Sequence, residues 1–325
     1  MDHFRHGSAA QLKVAEVLRA ARDGEHEKVT LQGPQVLAQL DPKTEASTYW
    51  LVQEALCSAA HAVDDYELMC RVADQMKQTA GQLNRTDLTI KALLAQSTAR
   101  RCVGDDANAL SLARQAQCLV RELDDESPVR VQLYQVLLAA LVEAGHPDEA
   151  WQLHQQLAGS LHLVADGQEQ GKAYWTLGNL AFMVCEPDLG VHYHQHAAEL
   201  LVPAQDMVLW ARFNRATAEL RLQAGILNEQ VQDCLQRAEL SFGLIEAGDL
   251  DHAGLCLTRS RAAAVQGDPA RAMAILEDFT SRYSGAPEHL VPLFSWWAQL
   301  LEQAGEPKAA QHKRHQAQQA GKDGS

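Results

Sequence analysis

Apolar residues recur along this chain at three- and four-residue intervals in blocks of ten to fifteen residues. That spacing lays an apolar stripe along one side of an α-helix. The blocks are interrupted by short turn signatures: Gly24-Glu25, Asp64-Asp65, Gly104-Asp105, Gly145-His146, Glu186-Pro187, Gly225-Ile226, Gly267-Asp268 and Gly305-Glu306. Successive turns lie 38 to 42 residues apart. A block, a tight turn and a second block make an antiparallel helical hairpin, and the period predicts eight of them. One hairpin cannot bury its own stripe, so neighbours must cover one another in a stack. The expected fold is therefore all-α, an α-α superhelix or solenoid. A single array is expected over residues 1–318, with a disordered tail over 319–325.

Small residues mark where helices approach closely. The fifth hairpin reads Tyr174-Trp175-Thr176-Leu177-Gly178-Asn179-Leu180-Ala181, then Glu186-Pro187-Asp188-Leu189-Gly190, then Ala197-Ala198. Gly178 and Ala181 are placed to admit the second helix of the hairpin, and Gly190 and Ala197 to admit the next hairpin. In the first hairpin, Gly33-Pro34 falls inside the second block. Proline removes an intrahelical hydrogen bond, so a kink or a split helix is expected there.

An aromatic residue, Leu-Gly three residues later, a small residue three beyond and small residues spaced by seven after the turn together resemble the tetratricopeptide repeat. Parts of the pattern recur at Tyr134, Leu138, Gly145 and Ala150, at Gly267, Ala272 and Leu276, and at Phe294, Trp297, Leu301, Gly305 and Ala310. The step of about 40 residues exceeds the 34 of the common repeat. It is similar to that of the tetratricopeptide-like regions of bacterial regulators such as the maltose activator MalT and the peptide-sensing quorum receptors. Those proteins generally join the array to a DNA-binding or ATPase module, for which no room is expected before Gln11 or after Gln319.

The resemblance implies that the first helices of successive hairpins line a concave groove. In that register Lys172, Trp175, Thr176, Asn179, Phe182 and Met183 face the groove from the fifth hairpin, Arg212, Arg215, Ala216 and Glu219 from the sixth, and Arg261 from the seventh. Asn179 occupies the position at which peptide-binding tetratricopeptide domains often carry an Asn that pairs with a peptide backbone. An amide side chain has the donor and acceptor for that task. Arg212, Arg215 and Arg261 suit carboxylates, from acidic side chains or a free C-terminus, and Trp175 and Phe182 suit apolar contact. Alternatively the arginines pair with Glu219 and other acidic neighbours while Trp175 packs between helices. The fourth hairpin has Gln132, Gln135 and Ala139 where a carboxylate clamp would repeat its basic and Asn residues, which argues against a receptor for chaperone tails.

Charge narrows the partners. With 42 acidic against 28 basic residues the net charge is -14, and an acidic surface repels nucleic acid and anionic membranes. Met1–Ala10 lacks the apolar core of a signal peptide, and no apolar run is long enough to span a bilayer. The seven cysteines form no Cys-x-x-Cys pair and mostly fall among Ala and Leu, as expected of buried thiols in a reducing cytoplasm.

Chemistry-bearing motifs are sparse. His192-Tyr193-His194-Gln195-His196 puts His192 and His196 on one helical face, but two imidazoles do not close a zinc site. The register assigns His194 to a packing position and the other two to the outside. Gly167-Gln168-Glu169-Gln170-Gly171-Lys172 has the wrong length for a phosphate loop. No catalytic residue, metal or cofactor is expected. The leading expectation is a non-enzymatic cytoplasmic adaptor that binds a peptide or protein in its groove. A second is a regulatory subunit that responds to a ligand or peptide. A third is a homo-oligomeric scaffold that self-associates through an exposed apolar end around Trp296 and Trp297.

Overall fold

A computed structural model describes residues 2–245 and 247–323. It is 81% helical, with no strand among the described residues. Sixteen α-helices follow one another: α1 Asp2–Arg22, α2 His26–Leu37, α3 Ala46–Ala62, α4 Tyr66–Leu83, α5 Thr86–Cys102, α6 Asp106–Leu119, α7 Val129–Glu143, α8 Pro147–Ser160, α9 Gly167–Met183, α10 Pro187–Leu200, α11 Met207–Gln223, α12 Glu229–Leu244, α13 Asp249–Val265, α14 Pro269–Arg282, α15 Val291–Gln303 and α16 Pro307–Asp323. They pair into eight hairpins. The chain divides into two compact units, Met1–Leu201 with the first five hairpins and Val202–Ser325 with the last three.

All eight hairpins close with one turn. The residue after the last turn of each first helix is left-handed: Gly24, Asp64, Gly104, Gly145, Cys185, Gly225, Gly267 and Gly305, with φ between 59° and 85°. The amide of the next residue donates to the carbonyl five residues back, as in Glu25 to Ala20 (2.9 Å), His146 to Leu141 (2.8 Å) and Asp268 to Ala263 (3.1 Å). The left-handed residue itself donates three residues back, as in Gly104 to Arg101 (2.9 Å). This is the Schellman motif, which satisfies carbonyls that a helix end otherwise leaves exposed. In the fifth hairpin the left-handed residue is Cys185, one position before the Glu186 that the turn signature singled out, and Glu186 instead immediately precedes α10.

Several of the second helices have their own start signal. Asp65 accepts from the Leu68 amide (3.0 Å) and Asp268 from the Arg271 amide (2.9 Å), while Pro147, Pro187, Pro269 and Pro307 open α8, α10, α14 and α16. Both devices suit a helix N-terminus, where the first amides have no intrahelical partner. Pro34 does not split α2. The Ala38 amide still donates to the Pro34 carbonyl (3.1 Å) and the helix ends at Leu37. Gly33 receives Leu56, since a Cβ there would lie 3.1 Å from Leu56 Cδ1.

Within the first unit α1 packs on α3, α5 on α7 and α7 on α9; within the second, α11 packs on α13 and α13 on α15. Each even-numbered helix contacts its hairpin partner, and most also contact the next odd-numbered helix within their unit. Helix α7 is covered on several sides, which explains its run of buried Leu133, Leu137, Leu138 and Leu141. In the second unit Phe213, Phe242 and Leu276 are fully enclosed. Each such side chain contributes about 1.5–3 kcal/mol by leaving water.

The fifth hairpin shows why its small residues are small. A Cβ on Gly178 would come 2.1 Å from His194 Cδ2, and one on Gly190 would come 2.7 Å from Phe182 Cδ2. Gly178 thus accommodates the second helix as expected. Gly190 serves the same hairpin: it receives the Phe182 ring, correcting its assignment to the neighbouring hairpin.

Burial also sets the cysteine chemistry. Cys57, Cys234 and Cys256 are buried, and desolvation pushes the Cys57 and Cys256 thiols up to about 12 and that of Cys102 to about 11. Such thiols stay protonated and unreactive at neutral pH. Trp297 is buried and lies beneath Lys313, whose Nζ is 3.4 Å from its ring centroid, and Trp296 donates its indole N–H to Ser260 Oγ (3.0 Å). These packed rings correct the expectation of an exposed apolar end there. No helix among the described residues is long and apolar enough to cross a membrane.

Two substitutions test this packing. Cys185 holds a left-handed backbone with an exposed side chain, so Cys185→Gly removes steric strain and raises stability in urea unfolding by about 0.5–1 kcal/mol, net of the entropy glycine adds to the unfolded chain. Gly178→Ala drives a methyl into His194 and lowers stability by about 1–3 kcal/mol. Adding His194→Ala recovers part of that loss, a non-additivity that a double-mutant cycle reads directly.

Candidate functional site

The odd-numbered helices carry the side chains assigned to the groove, and the two units present them separately. In the first unit the residues lie on α9. Lys172 pairs with Glu169 (2.8 Å) one turn earlier. Trp175 is half-buried. Asn179 Oδ1 meets His194 Nε2 at 3.1 Å, so the histidine acts as donor and the Asn carbonyl is occupied. The Asn179 side-chain amide keeps its Nδ2 hydrogens. Phe182 lies 5.3 Å from the His194 ring and against Gly190, which places it between the two helices of its hairpin. His194 is buried, while His192 is exposed and makes an edge contact with His196 at 4.6 Å. Among the described residues no cluster of three or more His, Cys, Asp or Glu side chains is arranged to hold a metal.

In the second unit α11 and α13 bring three arginines to one face, each with a different environment. Arg212 forms a two-pronged pair with Asp251 at the start of α13: Nε to Oδ1 is 2.9 Å and Nη2 to Oδ2 is 2.8 Å. Asp251 is buried and Arg212 largely so, which makes the fork a charge-assisted bond in a low-dielectric setting. Arg261 pairs with Glu219 across from α13 to α11, and its guanidinium lies 5.5 Å from the centroid of the Trp296 ring. Trp296 is held in turn by Ser260, whose hydroxyl donates to the Ala272 carbonyl (2.9 Å).

Arg215 differs from both. Among the described residues no carboxylate lies within ion-pairing distance of it, and its Nε is enclosed without a hydrogen-bond partner. Its guanidinium rests over Gly254 of α13, where a Cβ would come 3.3 Å from Nε, Cζ and Nη1. Burial pulls its pKa below the usual arginine value, partly opposed by the Asp251 charge and reinforced by that of Arg212. An arginine stays charged through such a shift.

Repeat spacing explains these pairs. Asn179, Glu219 and Arg261 each stand six residues before the left-handed residue of their hairpin, at 185, 225 and 267. Glu219 and Arg261 therefore occupy equivalent positions on adjacent odd helices, and meet. Gly254 is equivalent to Arg212, each thirteen residues before its turn at 267 and 225. The missing side chain at 254 makes the space that Arg215 fills. Asp251, Gly254 and Trp296 are the members of this face that the groove register did not include. The signal for Asp251 and Gly254 was separation by about one repeat: 39 residues from Arg212 to Asp251 and 42 from Arg212 to Gly254.

No family model matches the sequence, and no curated protein matches it. Among solved structures the chain is similar to a Rap protein complexed with competence and sporulation factor, at 11% identity over 97% of this chain and 98% of that one, with a TM-score of 0.63. It is also similar to the Rap conjugation gene regulator of the plasmid pLS20 in complex with the Phr* peptide, at 10% identity over 97% and 95%, TM-score 0.58. A third similar structure is aspartyl phosphate phosphatase F from Bacillus subtilis, at 9% identity over 98% and 96%, TM-score 0.57. At these identities the likeness is one of fold. Helical hairpins of this kind, turning on one repeated motif, are the architecture of a tetratricopeptide-like helical-repeat protein.

Proposed function

We propose that this chain is a non-enzymatic, tetratricopeptide-like regulator that binds a peptide, free or as a segment of a protein, on its odd-helix faces. The observation that carries the reading is the cationic and aromatic face of the second unit, with Arg212, Arg215, Arg261 and Trp296 on a chain of net charge -14. Two of the similar structures, named for competence and sporulation factor and for the Phr* peptide, hold such ligands. That supports a peptide as the class of partner. The phosphatase named in the third adds no weight, because 9% identity conveys only the fold.

The proposed contacts divide by chemistry. On the first unit, Trp175 supplies an aromatic surface and Asn179 donates from Nδ2 to a peptide carbonyl, with His194 fixing the orientation of its amide. Lys172 flanks them, and Phe182 packs behind them against Gly190 and His194. On the second unit Arg212 and Arg261 are paired with Asp251 and Glu219, so the excess positive charge that attracts acidic peptides is that of Arg215. A peptide that prefers one arrangement of either face shifts the protein toward it, which is how such binding becomes regulation.

Calorimetric titration of short synthetic peptides tests the reading. The expected result is saturable binding that weakens about ten-fold or more with Trp175→Ala and with Asn179→Ala, the loss of roughly one good contact. His192→Ala, on the outer helix, leaves affinity unchanged. Equal affinity for all three variants and the wild type would remove the α9 face of the first unit as a binding surface.

A further inference from the structure

Three arginines share the odd-helix face of the second unit, but the protein neutralises only two of them. Arg212 is satisfied by Asp251 and Arg261 by Glu219. Arg215 is half-buried and, among the described residues, has no carboxylate in ion-pairing range and no hydrogen-bond partner for its enclosed Nε. Arg221, the other desolvated arginine of α11 without a carboxylate, is only 3% exposed and gives Nη1 to Gln230 (2.7 Å), so it is closed to any ligand. A guanidinium withdrawn from water without a counter-charge destabilises the fold that holds it. The same arrangement is prepared for a ligand, because part of the desolvation cost is met before binding and the planar fork is already placed.

The surroundings give the fork a direction. Gly254 permits the guanidinium to lie against α13, and a Cβ there would press on it at 3.3 Å. Arg212 and Asp251 beside it are committed to each other through two prongs, so Asp251 is not available to close on Arg215. From this we infer that Arg215 is an open carboxylate seat: a ligand carboxylate, bound through its two oxygens to the guanidinium, completes the charge pairing of this face. This rests on the peptide reading above and sharpens it from three cooperating arginines to one. The shared chemistry has two sources on a peptide, a C-terminal carboxylate or an Asp or Glu side chain.

A pair of measurements on the full chain tests the seat. Random peptide pools are prepared in four forms, with free or amidated C-termini and with or without Asp and Glu, and the peptides retained by wild type, Arg215→Lys and Arg215→Met are counted by mass spectrometry. The expected result is about ten-fold enrichment of peptides bearing a carboxylate over pools that lack one, the size of one charge-assisted contact. Enrichment in the free-terminus pool without Asp or Glu identifies the terminal carboxylate, and enrichment in the amidated acidic pool identifies the side chain. Arg215→Met loses the enrichment, while Arg215→Lys keeps the charge without the fork and retains part of it. In urea, Arg215→Met unfolds at a higher midpoint than wild type, since it removes an unpaired buried charge. A merely structural arginine would give a lower one. Retention that ignores the carboxylate, or enrichment unchanged in Arg215→Met, overturns the seat alone. Retention of no peptide from any pool overturns the peptide reading and the seat with it.

Discussion

The Schellman turn sets everything else in this molecule. Eight times the chain places one left-handed residue after a helix and passes two amides back to carbonyls three and five residues earlier, the latter at 2.8 to 3.1 Å. Glycine supplies the conformation at six of the eight sites, because it alone adopts positive φ without a steric penalty. The turn fixes where each second helix begins and therefore how the two helices of a hairpin register. A register repeated at 38 to 42 residues makes equivalent positions on successive odd helices neighbours. That is how Glu219 comes to face Arg261, and how Gly254 comes to leave room for Arg215.

Much of this was legible in the residues. The turn signatures and helical periodicity gave eight hairpins, and Gly178 marked a close approach because no side chain fits against His194. Less legible was anything that depended on a partner one repeat away. The groove register placed Arg212, Arg215 and Arg261 as three similar cations; it did not reveal that Asp251, at the edge of the next helical block, would take one of them. Asn179 was similarly placed by position alone, and its pairing with His194 follows from packing across the hairpin. At Cys185 the signal failed for a local reason: Glu186-Pro187 resembles a turn because it opens α10, while the left-handed residue before it has no compositional mark.

Charge pairing on the second unit connects stability with binding. Most exposed ion pairs in this chain, such as Arg71 with Glu67, add little because water screens them. The Arg212–Asp251 fork is largely shielded, and its two members would each be costly alone. It holds the start of α13 to α11 and keeps the neighbouring carboxylate occupied. Arg215 beside it is the exception that stability alone does not explain, and strained or unsatisfied groups in otherwise well-packed structures cluster where function needs them. In this molecule the exception lies on the odd-helix face of the second unit.

The most direct test is nuclear magnetic resonance of the arginine Nε–H groups of the full chain, titrated with a short acidic peptide ending in a free carboxylate. The Arg212 Nε–H, already bonded to Asp251 at 2.9 Å, should hold its position, while the Arg215 Nε–H, enclosed and without a partner, should shift in a saturable manner. A peptide that binds while the Arg215 signal stays still, or that moves Arg212 and Arg261 instead, would contradict the account.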